Sequence, residues 1–204
     1  MPFRRDLLLG AALIAAAPKK TEAEDEDVSP AEDLMREHGL LNRLLLVYEE
    51  CARRMDGGEA PPPQLGQSAN IIRDFVEGYH EKLEEEFLFP RFRKANTLAD
   101  LADTLQRQHE AGRKITAAVL EKPTPQLLRA FVRMYRPHEA REDTILFPAF
   151  RKLVGKKEYG RLGDRFEERE HQLFGKSGFE GQVENVAAIE RALGIYELDQ
   201  FTPR

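Results

Sequence analysis

Residues His80–Lys94 read HEKLEEEFLFPRFRK, and residues His138–Lys152 read HEAREDTILFPAFRK. Superposed, both copies are H-E-x-x-E-x-x-x-L-F-P-x-F-R-K. Within each copy a histidine precedes a glutamate by four positions: His80 and Glu84, His138 and Glu142. On an α-helix that spacing separates two side chains by one turn and about 40° around the axis, so both point the same way. The chain has only five histidines, and the repeat takes two of them.

The segments around the repeat are helical in pattern. Ser29-Pro30 pairs an N-cap residue with a proline at the first helical position. Leu34, Leu41, Leu44, Leu45 and Tyr48 then recur at helix period through residues 30–55. GGEAPPP, from Gly57 to Pro63, ends that helix. The first copy closes a second helix over residues 64–94, in which Ile71, Ile72, Phe75, Tyr79, Leu83, Phe87 and Leu88 are apolar. Asn96-Thr97 breaks it, and Thr97 is expected to cap a third helix ending near Glu121. A fourth helix follows Lys122-Pro123-Thr124-Pro125 and runs to about Val154, with Pro137 predicting a kink. Segments of this length, joined by short breaks and free of β-rich runs, predict an all-α fold. The architecture expected is an antiparallel up-down-up-down four-helix bundle over residues 30–155. Residues 156–204 form a C-terminal helical extension, with helices expected at 156–175 and 183–194.

Four histidines fall one per bundle helix: His38, His80, His109 and His138. In an antiparallel hairpin, residues equidistant from the turn lie at one level, because both arms rise about 1.5 Å per residue. The midpoints between successive histidines fall at Glu59, at Lys94/Ala95 and at Pro123/Thr124, each at or beside a predicted turn. The four imidazoles therefore share one layer, joined by the Glu84 and Glu142 carboxylates. Burying six such groups without a cation carries a heavy desolvation cost. Six ligands exceed the four of a structural zinc. Two adjacent metals bridged by the carboxylates use them all, with iron favoured by mixed imidazole and carboxylate ligation and manganese or zinc possible. Leu88, Phe89 and Phe92, with Leu146, Phe147 and Phe150, read as core packing that closes one end of the bundle beyond the ligands.

Composition narrows the partners. A formal charge of −5 over 204 residues, with no basic stripe, does not point to nucleic acid. The single cysteine, Cys51, excludes a disulfide framework and a cysteine-based zinc site; it reads as a small buried apolar residue. Residues 1–18 combine Arg4-Arg5 with a short apolar run, Leu7–Ala17. They are read as a twin-arginine-like signal for export to the periplasm, leaving no transmembrane span after its removal. The charged, apolar-poor residues 19–29 read as a flexible linker.

His38, His80-Glu81-x-x-Glu84, His109 and His138-Glu139-x-x-Glu142, each H-E-x-x-E followed by its L-F-P block, resemble the hemerythrin-like (HHE cation-binding) family over about residues 30–155. The order His-x-x-x-Glu differs from the Glu-x-x-His of ferritin-like di-iron bundles. The resemblance implies an oxo- or hydroxo-bridged centre of two iron ions, with the four histidines as terminal ligands and Glu84 and Glu142 as bridges. It implies binding of a small ligand such as O2, NO or peroxide, for sensing, binding or storage. The alternatives are a di-iron redox enzyme, acting as an oxidase, a peroxidase or on nitric oxide, and a metal-stabilised sensor or interaction module. O2-carrying hemerythrins have a second histidine on the third helix, where this chain has Arg113. Glu81 is the first candidate to fill that position, with Glu139 behind it. His171 lies outside the repeat and reads as a surface or packing residue, the alternative being that Glu167, Glu170 or His171 acts around the site or as a lid.

Overall fold

The computed structural model describes residues 28–203. The predicted signal at 1–18, and the linker at 19–29 apart from Val28 and Ser29, lie outside them. No strand occurs among the described residues.

Helix α1 (Pro30–Asp56) starts as its sequence dictates. The Ser29 hydroxyl accepts from the Glu32 N–H, Pro30 occupies the first turn, Glu32 and Asp33 face the positive helix end, and Arg53 and Arg54 lie in the last turn. Gly58, at φ +88°, carries the chain out of it. Arm α2 (residues 63–95) and arm α4 (residues 125–153) are composite rods in which α-helical and π-helical stretches alternate. Helix α3 (Ala99–Glu121) lies between them in sequence. Thr97 does not cap α3: its hydroxyl bonds the Ala95 carbonyl, and Leu98 takes the N-cap position in the left-handed region. In α4 the Thr124 hydroxyl does cap, accepting from Leu127 N–H at 3.3 Å. Pro137, where a kink was expected, lies inside the α-helical stretch Pro125–Arg141, and the departure from α geometry comes one turn later, at Glu142–Leu146.

Helix α1 packs on α4 and α2, and α3 packs on both as well, which closes four arms into an up-down-up-down ring. Leu34, Leu41, Leu44, Leu45, Tyr48, Phe75, Tyr79 and Phe131 are buried in its interior. Each such side chain contributes roughly 1.5–3 kcal/mol on leaving water. Cys51 lies among them, and burial pushes its thiol up to about 11.

Two further helices follow, α5 (Lys156–Phe174) and α6 (Gly178–Leu193). The second begins five residues earlier than the expected 183. Both cover the α1–α2 side of the bundle. Phe166 packs tilted against Phe87, Phe174 packs tilted against Phe75 and edge-on to Tyr79, and Arg43 holds Glu190 through two hydrogen bonds of 3.0 and 2.5 Å.

Candidate metal centre

The four histidines do form one layer, and it resolves into two pairs. His38 Nε2 lies 3.1 Å from His80 Nε2, and His109 Nε2 lies 3.2 Å from His138 Nε2. Each carboxylate spans the pairs. Glu84 Oε2 is 3.7 Å from His80 Nε2 and 3.4 Å from His109 Nε2; Glu142 Oε2 is 3.4 Å from His38 Nε2 and 3.0 Å from His138 Nε2. All six residues are buried.

The outward-facing Nδ1 atoms explain why Nε2 points inward. His38 Nδ1 is 2.7 Å from Asp143 Oδ1, His80 Nδ1 2.6 Å from Glu37 Oε2, His109 Nδ1 3.2 Å from Glu85 Oε1, and His138 Nδ1 2.9 Å from Gln108 Oε1. These partners are acceptors, so each Nδ1 donates its hydrogen to them and each Nε2 is directed into the layer. The four bonds run around the bundle in one direction: α1 supports the histidine of α2, α2 that of α3, α3 that of α4, and α4 that of α1.

Local backbone form sets the carboxylates. Both Glu84 and Glu142 begin a π-helical turn, Glu84–Leu88 and Glu142–Leu146, in which Phe89 N–H reaches the Glu84 carbonyl and Phe147 N–H reaches that of Glu142. Pro90 and Pro148 follow two residues after each turn. A proline cannot donate to the carbonyl four residues back and its ring crowds that carbonyl, so a widened preceding turn relieves both problems. The L-F-P blocks are then more than an end plug. Phe147 stacks on the His38 ring, centroids 5.5 Å apart and planes 20° apart, and Phe89 lies 5.4 Å from the His109 ring. The two phenylalanines wall the layer against water.

The layer and its surround are rich in carboxyl groups. Glu84, Glu142, Glu37, Asp143, Glu85, Glu81 and Glu139 converge here, with Arg113 and Lys82 as their nearest cations. Burial, reinforced by Glu142, pushes Glu84 up to about 8. Burial also opposes ionisation of Glu142, but contacts with His138 and His38 hold it well below the usual range. Burial and the neighbouring His38 depress His80, whereas bonds from Asp143 and Glu142 raise His38 against its burial. Neither oxygen of Glu84 nor of Glu142 has a hydrogen-bond partner among the described residues. Buried carboxylate oxygens faced only by imidazole nitrogens are the mark of groups shaped for a cation. The donors fit one. Glu84, His109, His138 and Glu142 each bring a ligand atom within 4.8 Å of the others, as do His38, His80 and Glu84. Two nitrogens 3.1 Å apart can both lie about 2.1 Å from one ion.

The model of the hemerythrin HHE cation-binding domain matches residues 29–149. The chain belongs to this family. It is also similar to an uncharacterized protein of Mycobacterium tuberculosis and one of Mycobacterium bovis, each 44% identical over 200 residues, an alignment covering 91% of this chain and 78% of theirs. No solved structure matches it.

Within this hemerythrin-family frame, the other sequence candidates separate. Both oxygens of Glu81 are taken: Tyr135 donates to Oε1 at 2.6 Å and Arg113 to Oε2 at 2.6 Å. Glu81 thus faces the outer nitrogen of His109, 4.0 Å away, and brings an oxygen within 4.8 Å of ligand atoms of Glu85 and His109. Glu139 accepts from Asn42 through one oxygen, its other oxygen is orphaned, and burial pushes it up to about 8. Glu167 and His171 are exposed on α5, and Glu170 is held by the Phe179 N–H at 2.7 Å. The sequence reading missed the outer acceptors Glu37, Glu85, Gln108 and Asp143. It also missed Tyr135 and Gly112, where a Cβ would lie 2.0 Å from the Tyr135 hydroxyl. One signal was available: each acceptor is adjacent in sequence to a ligand candidate of its own arm.

Proposed function

We propose that this chain holds two metal ions, iron in the first place, between His38, His80, His109, His138, Glu84 and Glu142, and uses them to bind a small ligand such as O2, NO or peroxide. Iron bound there supplies ligand binding and one-electron redox chemistry. The observation that carries the reading is the pair of orphaned carboxylates, each facing one imidazole from either histidine pair. The protein's own groups do the rest. The ring of Nδ1 bonds holds the imidazoles in place, Phe89 and Phe147 keep water off their faces, and burial limits access to small molecules. Arg113, in place of a fifth histidine, spends its charge on Glu81 and Glu85. That leaves two imidazoles on each side of the layer, and so room for an exogenous ligand. The export reading of residues 1–18 is proposed with it.

Elemental analysis of the purified protein, with visible spectra under air and after reduction, tests this. The expected result is about two metals per chain, falling below one in His80→Ala and His138→Ala with a joint loss of thermal stability. Fewer than about one metal per wild-type chain, or a spectrum indifferent to air and reductant, would sink it.

A further inference from the structure

A second group of carboxylates lies just outside the layer, where α1 meets α5 and α6. Asp33, Glu37 and Glu170 each bring one oxygen within 4.8 Å of the others. Glu37 binds His80 Nδ1 through Oε2, while its Oε1 is buried and has no hydrogen-bond partner among the described residues. Glu170 is fixed in the group by the Phe179 N–H, and it fits only because residue 178 is glycine: a Cβ there would lie 1.7 Å from Glu170 Oε1. The nearest compensating charge is Arg36, 3.7 Å from Asp33 and shared with Glu180. Burial and then Glu170 push Asp33 up to about 6. On its outer side the group opens into a cleft lined by Asp33, Arg36, Tyr159, Glu167, Glu170 and His171.

We infer that Asp33, Glu37 and Glu170 form a third divalent-cation site, from which metal passes to the His80 side of the layer. The orphaned Glu37 oxygen supplies an inner ligand, Asp33 and Glu170 supply the outer ones, and Glu167 and His171 lie in the cleft through which the ion arrives. The loading role rests on the two-metal reading; the cation site itself does not.

Mn2+ titration of the metal-loaded full chain, read by electron paramagnetic resonance, tests the site. Wild type is expected to take one Mn2+ beyond its tightly held ions. Asp33→Asn and Glu170→Gln should keep those ions and bind the extra Mn2+ at least about tenfold more weakly. Glutamine at 170 keeps the acceptor for Phe179 N–H, and circular dichroism establishes that both variants are folded. No additional Mn2+ in wild type, or equal affinity in folded variants, overturns the site. Loading is read separately, from the rate of Co2+ uptake by metal-stripped full chain. About tenfold slower uptake in both variants, to the same final content, supports it; an unchanged rate overturns it. Should wild type hold no tight pair of ions, the two-metal reading fails instead, and the Mn2+ titration still decides the cluster.

Discussion

In the first H-E-x-x-E copy Glu81 is clamped between the Arg113 guanidinium and the Tyr135 hydroxyl, whereas in the second copy Glu139 receives only the Asn42 amide. The positions correspond: Asn42 and Arg113 each stand four residues after the histidine of their own arm. The layer is therefore a two-fold repeat in its six central residues and asymmetric immediately outside them. Similarity at the centre follows from what a pair of cations requires, and the surround is free to make the two halves unequal.

Removing each clamp gives the largest expected difference. Arg113→Ala leaves the buried Glu81 without its cation and the half-buried Glu85 with Lys82 alone, a loss of roughly 3 kcal/mol. Asn42→Ala removes one neutral donor from Glu139, which burial already keeps protonated up to about 8, and should cost about 1 kcal/mol. Guanidinium unfolding of both proteins, loaded with metal, measures the gap. Equal losses would mean that the copies are electrostatically alike.

That asymmetry was not legible in the sequence, and the reason is geometric. The histidine layer could be read because position along a helix is fixed by the rise per residue, and turn midpoints convert it into height. Contacts such as Arg113–Glu81, His80–Glu37 and Phe147–His38 depend instead on how neighbouring helices are rotated toward one another. The π-helical turns at Glu84 and Glu142 change that rotation locally, and a uniform 100° per residue misses it. Gly112 shows the same limit: an absent side chain gives no sign that Tyr135 occupies its place. Thr97 was expected to cap α3 because its residue type suits that task, but the left-handed Asn96 and Leu98 turn the chain so that Leu98 takes the position.

One turn before each histidine the copies differ again, with Glu77 in the first and Tyr135 in the second. Glu77 accepts from the Thr116 hydroxyl at 2.5 Å, and burial pushes it up to about 7. A carboxyl with a folded pKa above its unfolded value binds more protons when folded, so it lowers stability progressively as pH rises from about 4.5 to about 7. Glu77→Gln keeps an acceptor for Thr116 and removes the titration. The variant should match wild type near pH 4 and exceed it by roughly 2 kcal/mol at pH 8. A stability gap that does not change with pH would place the cause elsewhere.

The smallest difference expected is also the one nearest the layer. His38 and His80 are backed by two carboxylates, Asp143 and Glu37, at 2.7 and 2.6 Å. His109 and His138 are backed by one carboxylate at a longer 3.2 Å, Glu85, and by the neutral Gln108 amide at 2.9 Å. A closer anionic acceptor on Nδ1 makes the opposite nitrogen a stronger donor, so Asp143 at 2.7 Å against Glu85 at 3.2 Å should give the two ions unequal constants, the tighter at His38 and His80. Asp143→Asn keeps an oxygen for His38 Nδ1–H and removes only the charge; it should weaken the tighter ion about tenfold. Gln108→Glu adds the charge behind His138 and should strengthen the weaker ion by about as much. Stepwise titration against a competing chelator reads both. Each variant alone should narrow the interval between the constants, and the double variant should narrow it most. If wild type binds both ions with one constant and neither change separates or shifts them, the ring of Nδ1 acceptors orients the imidazoles without tuning them.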